Sequence, residues 1–308
     1  KPFSQIIHYK YVYGKSLYIS VLSVIPVYII HSLASSGLGY FFLYYLISVS
    51  IEIILIFYLG IDQNTRGKLL KIVKMEIDKT IVLSNGVEMP RLIQGVPHCD
   101  QWTNYSIDFF YDILRTSVRN GIVAFDSSHA YGKSESTIGY VLRRFAAEGI
   151  SRKEVFITSK IDNHQQYVGN MNKCVDDSLK TMKTDYLDCM LFHWPVQNHF
   201  EENWLQLEDA YKKGKVRSIG IANAKIFHIE RLRMYGATIV PHVIQTEIHP
   251  FNSCLQLRDY SEKHKIALQA CSSLANMIDK MKYNKTLIDL SRKYSVSLVL
   301  LVLRWHLQ

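Results

Sequence analysis

Asp126, Tyr131, Lys160 and His193 supply a carboxylate, a phenol, an ammonium and an imidazole, each at or just beyond the end of a short apolar run. Such a set can deliver a proton to an oxygen on which negative charge is building. Each of the four can titrate or carry charge, which is what general acid–base chemistry needs. Singly, each has a plainer use. A lone tyrosine is usually amphipathic packing, and this chain has 20 of them. A lone lysine is usually a surface residue, and a histidine can be a satisfied core residue. Their shared placement at the ends of successive apolar runs is what suggests a site.

The elements that must position them are read from periodicity. Beyond Glu76, short apolar runs alternate with amphipathic segments. Runs at 80–83 and 87–89 flank Asn85-Gly86, the signal of a two-residue hairpin. Strand-like runs follow at 92–96, 122–127, 155–159, 187–192, 216–221, 243–248 and 267–271. Helical patterns separate them at 107–119, 135–147, 171–182, 204–213, 226–234 and 255–264, with a last one at 287–307. Repeated strand–helix units with short connections predict a parallel sheet with right-handed crossovers. A doubly wound sheet and a (β/α)8 barrel both fit. No GxGxxG turn follows any strand, which weighs against the dinucleotide-binding doubly wound sheet. The chain ends at Gln308 within a helical pattern, so the expected α/β fold is a TIM barrel lacking its last strand and helix. In such barrels catalytic groups sit at the C-terminal strand ends, and there the sequence reads Asp126-Ser127-Ser128-His129-Ala130-Tyr131-Gly132, Thr158-Ser159-Lys160 and His193-Trp194-Pro195.

The first 76 residues read differently. Two apolar stretches, about 17–34 and 38–61, are each near the roughly 20 residues that span a bilayer core, the second interrupted by Glu52. Lys1, Lys10 and Lys15 precede the pair, Arg66, Lys68, Lys71 and Lys74 follow it, and the turn between carries no Lys or Arg. The pattern predicts a two-helix transmembrane hairpin with both ends cytoplasmic, so residues 77–308 form a second domain on the cytoplasmic side of a membrane. This stretch is weakly similar to the end of a bacterial polysaccharide flippase. The net charge is +9, but no basic run interleaved with aromatics points to nucleic acid. Cys99, Cys174, Cys189, Cys254 and Cys271 are scattered, without metal-ligand spacing, and read as reduced thiols. No metal site is expected.

Over residues 77–308 the sequence resembles the aldo-keto reductases. The matching stretches are Leu83-Ser84-Asn85-Gly86-Val87-Glu88-Met89-Pro90, Phe125 to Gly132, Thr158-Ser159-Lys160, Leu191-Phe192-His193-Trp194-Pro195, Ser218 to Asn223, Gln245 to Pro250 and Leu303-Arg304-Trp305. Their co-linear agreement is specific where no single one would be. The resemblance implies a nicotinamide cofactor, NADP as the family's usual choice with NAD as the alternative, and a small carbonyl substrate. It implies Tyr131 as general acid/base. A free phenol ionises only near pH 10 or so, and the resemblance gives Lys160 the task of favouring the phenolate and Asp126 that of keeping Lys160 charged and placed. It gives His193 a hydrogen bond to the substrate oxygen. It assigns Asn223 and Gln245 to the nicotinamide carboxamide, Asp126 to the neighbourhood of its ribose, and Cys271, Ser272 and Leu274 to a segment along the cofactor. Two positions depart from the pattern: Cys271 stands where the family places a stacking aromatic ring, and Ala222 where it usually has serine. The family's segment for the 2′-phosphate would lie beyond Gln308. His98, Trp102, Trp194 and Phe227 are candidate walls of a substrate site.

The expected function is NAD(P)H-dependent reduction of an aldehyde or ketone, or oxidation of the alcohol. The other class of reading is a reductase-like barrel that serves a membrane protein as a redox-sensing or structural subunit. The intact set of Asp126, Tyr131, Lys160 and His193 favours the enzyme, since a structural barrel has no need of it.

Overall fold

A computed structural model describes residues 79–96 and 106–307; the stretches read as a membrane hairpin, with His98 and Trp102, lie outside them. The chain divides into two units, Lys1–Ile77 and Asp78–Gln308, and every described residue belongs to the second. No helix among the described residues is long and apolar enough to cross a membrane.

The first element is a hairpin of β1 (Thr80–Val82) and β2 (Glu88–Pro90), with Ile81 opposite Met89. Its turn is not the two-residue kind expected from Asn85-Gly86. The Leu83 amide donates to the Val87 carbonyl and the Gly86 amide to the Leu83 carbonyl, both at 2.9 Å. Gly86 alone takes a positive φ, +85°. That is a three-residue loop, a tight turn closed by one left-handed glycine. The Asn85 side chain is thereby free to donate to the Arg217 carbonyl at 2.9 Å, which ties the hairpin to the sheet.

Seven strands follow, each parallel to and paired with the next in chain order: β3 (Ile93–Gly95), β4 (Ala124–Asp126), β5 (Phe156–Ile161), β6 (Cys189–Phe192), β7 (Ile219–Ala222), β8 (Val243–Glu247) and β9 (Ala267–Cys271). Ten helices alternate with them or follow them among the described residues: α1 (Ile107–Arg119), α2 (Ser134–Ala147), α3 (Asn163–Val168), α4 (Met171–Met182), α5 (Phe200–Lys212), α6 (Ile226–Tyr235), α7 (Leu255–Lys263), α8 (Asp279–Lys282), α9 (Lys285–Tyr294) and α10 (Leu298–His306). The sheet curls as a partial (β/α)8 barrel, and β3 and β9 are not paired with each other. The helix expected over 287–307 is two helices. Ser295 adopts a left-handed φ of 53° that ends α9, and the Ser297 side chain accepts the Leu300 amide to start α10. A serine cap outweighs an unbroken apolar pattern.

Alternation along the strands sorts residues to two faces. Phe125, Ile157, Met190, Phe192, Ile219, Ile221 and Ile244 join Phe110, Leu114, Ile138, Val175, Trp204 and Leu207 in the core between sheet and helices. The opposite face holds Ala124, Phe156, Cys189, Leu191, Ala222 and Val243, closed at one end by Leu83 and Met89 of the hairpin region. The register places Asp126 beside Thr158, Lys160 beside Leu191, Ala222 beside Gln245, and Gln245 beside Gln269. Further along β4, β5, β8 and β9 the same inner face becomes polar. Asp126, Lys160, Gln245, Gln269 and Cys271 form a layer above an apolar floor.

Gly220 lies where three strands crowd together. A Cβ there would overlap the Val243 carbonyl and sit 2.7 Å from Leu191 Cδ2. Gly220→Ala is expected to destabilise the fold by about 3 kcal/mol or more, since backbone on the neighbouring strand must yield. Urea unfolding of the two proteins checks this, and an unchanged midpoint would contradict the packing described.

Candidate active site

Lys160, on the inner face of β5, has a side chain only 1% exposed. Burying an ammonium costs several kcal/mol unless charge and hydrogen bonds replace water. Its Nζ meets Asp126 Oδ1 as a close ion pair and donates to the Ser127 carbonyl at 2.8 Å. It also lies 4.9 Å from the centroid of the Tyr131 ring. The other oxygen of Asp126, Oδ2, accepts Gln245 Nε2 at 2.7 Å and Gln269 Nε2 at 3.4 Å. The Tyr131 and His193 rings meet edge to face, centroids 5.5 Å apart at 83°. The four residues picked out by type and order thus converge at one end of the sheet.

The loop after β4 that carries Tyr131 is fastened along its length. The His129 amide donates to the Lys160 carbonyl at 3.1 Å, and the Tyr131 amide to the Ser128 carbonyl at 3.0 Å. Ser127 and Ser134 share a buried hydroxyl contact of 2.6 Å. Glu135, buried at the start of α2, accepts Ser159 Oγ at 2.6 Å and faces His129 Nδ1 at 3.5 Å. Asp162 lies on the other side of the same imidazole. The Glu135 hydrogen bond, helped by the charges of Glu135 and Asp162, raises His129 above the ordinary histidine value against a smaller desolvation effect.

His193 is shifted the other way. Burial lowers its pKa first, and the Lys160 charge lowers it further, so its neutral imidazole prevails at neutral pH. Its Nδ1 lies 3.4 Å from Ser128 Oγ, which leaves Nε2 for a substrate oxygen. The Asn223 side chain donates to the His193 carbonyl at 2.9 Å. Asn223 itself is left-handed, φ 60°, a conformation asparagine tolerates, and its amide donates to the Gln245 carbonyl at 2.7 Å. One residue after β7 therefore steadies both β6 and β8.

A cavity of about 710 Å³ opens beside this cluster, lined by Asp126, Tyr131, Gln245, Gln269, Cys271 and Ser272 among others. Gln269 Oε1 is buried without a hydrogen-bond partner among the described residues. Two side-chain amides next to an orphaned acceptor suit a group that both donates and accepts, as a carboxamide does. Cys271 contributes no ring, and its thiol is pushed up to about 11, chiefly by burial, so it is a neutral, soft wall. Ser272 is left-handed, φ 46°. Leu274 packs with Ala275, Met281 and Val302. Trp194 is half exposed, and Phe227 lines a separate depression with Phe200 and His228. Sequence reading passed over Ser128 and Gln269. Strand alternation places Gln269 on the inner face, two residues before Cys271, whereas nothing in the sequence marks Ser128.

A barrel-type sheet carries Asp126, Tyr131, Lys160 and His193 at its strand ends beside a cavity, and comparison with known proteins gives the chain a family. The model of the Aldo/keto reductase family matches residues 91–308. Glyoxal reductase of Bacillus subtilis (strain 168) is 34% identical over 229 residues, 74% of this chain and 79% of that protein. A methylglyoxal reductase of Yersinia pestis is 32% identical over 235 residues, 76% of this chain and 80% of that protein. The crystal structure of an aldo/keto reductase from Brucella melitensis superposes with a TM-score of 0.64 at 31% identity, covering 74% of this chain and 83% of that one. A Bombyx mori aldo-keto reductase, crystallised in complex with NADP, superposes with the same TM-score at 26% identity, covering 73% of this chain and 79% of that one. The chain belongs to the aldo/keto reductase family, and it is an NAD(P)-dependent oxidoreductase.

The opposite shifts of the two mouth histidines can be read directly. In an NMR titration of the imidazoles His193 is expected below 6.5, the ordinary value, and His129 above it. The reverse order would contradict the electrostatics of the site.

Proposed function

We propose that this chain reduces a small aldehyde or ketone with reduced NADP, using Tyr131 as the proton donor. The observation that supports this most is the buried Lys160, paired with Asp126 and set over the Tyr131 ring at the edge of a cavity. Relatives named for glyoxal and methylglyoxal suggest compact, reactive aldehydes as substrates. The Bombyx mori structure bound to NADP supports that cofactor. The reductase unit is placed on the cytoplasmic face of a membrane as part of the same proposal, on the charge pattern around residues 17–61.

The nicotinamide, when bound, supplies the hydride to the carbonyl carbon. Gln245 and Asn223 are the amide-bearing residues assigned to hold its carboxamide, and Cys271 and Ser272 wall the cavity beside it. His193, neutral and held through Nδ1 by Ser128, donates from Nε2 to the substrate oxygen and fixes its direction. Tyr131 gives its phenolic proton to that oxygen as charge builds there. The phenolate left behind lies beside the Lys160 ammonium, which compensates its charge. Asp126 in turn keeps that ammonium charged in a place too dry to hold it alone. Proton return from solvent to Tyr131 completes the cycle, and the alcohol leaves with one added hydride and one added proton.

Tyr131→Phe removes the proton and little volume. Cofactor oxidation with glyoxal or a similar aldehyde is expected to fall by about 10²–10⁴-fold, while NADPH binding, followed by its fluorescence, persists. Equal turnover by wild type and variant would overturn the assignment.

A further inference from the structure

We propose that Gln269 is a positioning residue for the reaction: a reserve donor that holds Asp126 when Gln245 is drawn away to the cofactor. The inference rests on the reductase reading above for its purpose, and on the geometry around Asp126 for its substance.

Asp126 Oδ1 is committed to Lys160. Oδ2 faces two amides from adjacent strands, Gln245 of β8 and Gln269 of β9, which are direct partners in the parallel register and point to the same inner face. The two contacts are unequal. Gln245 Nε2 stands at 2.7 Å, a full hydrogen bond, and Gln269 Nε2 at 3.4 Å, beyond the roughly 2.7–3.2 Å of an ordinary one. The Gln269 amide is thus aimed at an oxygen already served, and its own Oε1 has no partner among the described residues. A donor held just outside bonding range of a carboxylate is under-used unless another state draws it in.

Cofactor binding provides that state. The residue assigned to the nicotinamide carboxamide is Gln245, the same side chain that now serves Asp126. If Gln245 turns to the cofactor, Oδ2 loses its close donor. A largely buried carboxylate, 13% exposed, with one oxygen unserved is costly, and its hold on Lys160 would weaken at the step where Lys160 is needed. A side-chain shift of a few tenths of an ångström brings Gln269 into bonding range. The charged groups facing the Gln269 amide are Asp126 and, through it, Lys160; the neighbouring thiol on β9 is Cys271, neutral because burial pushes it up to about 11. No other side-chain amide among the described residues is bonded to the Asp126 carboxylate.

The first test needs no activity. Gln245→Leu and Gln269→Leu, singly and together in the full chain without cofactor, are unfolded with urea. Each single variant leaves Oδ2 one amide, so each should lower the midpoint little, and the pair should lower it by clearly more than the sum. Additive midpoints would overturn the inference, whatever the enzyme reduces.

The second test uses Gln269→Glu and covers the case in which a leucine variant does not fold. A protonated glutamic acid can donate to Asp126 as the amide does, and an ionised one repels it. The variant's kcat relative to wild type should rise about fivefold or more between pH 8 and pH 6 as the glutamate takes up its proton. At pH 8 NADPH should bind Gln269→Glu about five- to tenfold more weakly than wild type, since releasing Gln245 then leaves Oδ2 facing a carboxylate. A kcat ratio flat with pH, together with unchanged NADPH affinity, would overturn the inference while leaving the reductase reading intact. A wild type that turned over no aldehyde would overturn that reading instead, and the urea cycle would still decide the role of Gln269.

Discussion

A buried cation must be answered, and much of this site follows from answering Lys160. An ammonium at 1% exposure loses its water, and the loss is offset only by an opposite charge in contact and by hydrogen bonds to its remaining protons. Asp126 and the Ser127 carbonyl meet both needs, and both belong to the end of β4 and the loop that leaves it. The same loop carries Tyr131 past the cation. Once Lys160 is fixed, the carboxylate, the phenol and the path of the loop are constrained with it. Gln245, Gln269 and the Glu135–Ser159 contact then secure what the ion pair has placed.

A second buried carboxylate shows that such physics alone does not make a site. Asp188 accepts Arg152 Nη2 at 2.8 Å, Arg217 Nη1 at 2.9 Å and the Ile157 amide at 2.9 Å. It joins β5, β6 and the approach to β7 at the end of the sheet opposite the catalytic set. Each of its oxygens is satisfied by protein groups, so its work is structural. Asp126 has comparable partners, but it lines a cavity with a phenol and an imidazole close by. Position separates the two roles: Asp188 stands before β6 on the side of Met190 and Phe192, whereas Asp126 ends β4 on the inner face that lines the cavity.

Much of this was legible in the sequence, because strands impose a period of two and barrels put chemistry at strand ends. The strand Ala267–Cys271 and the helices Ile107–Arg119 and Met171–Met182 have the limits their apolar patterns predict. Asp126, Tyr131, Lys160 and His193, picked out by type and order, lie together at one end of the sheet. What escaped depended on backbone conformation or on long-range pairing. The hairpin turn has one left-handed residue rather than two, a difference that Asn-Gly does not reveal. The break at Ser295 hides inside a continuous apolar stripe. Ser128 holds His193 across 65 residues of sequence, and Gln269 reaches Asp126 across 143; no local pattern reports such contacts.

The central claim is that Lys160 and Asp126 act as one unit, and a double-mutant cycle on kcat/KM measures that directly. Lys160→Met and Asp126→Asn should each reduce kcat/KM for a small aldehyde by about a hundredfold or more. The double variant should fall little below the worse single one, because either change already dissolves the pair. Losses that multiply would mean the two residues act independently, and would contradict the account.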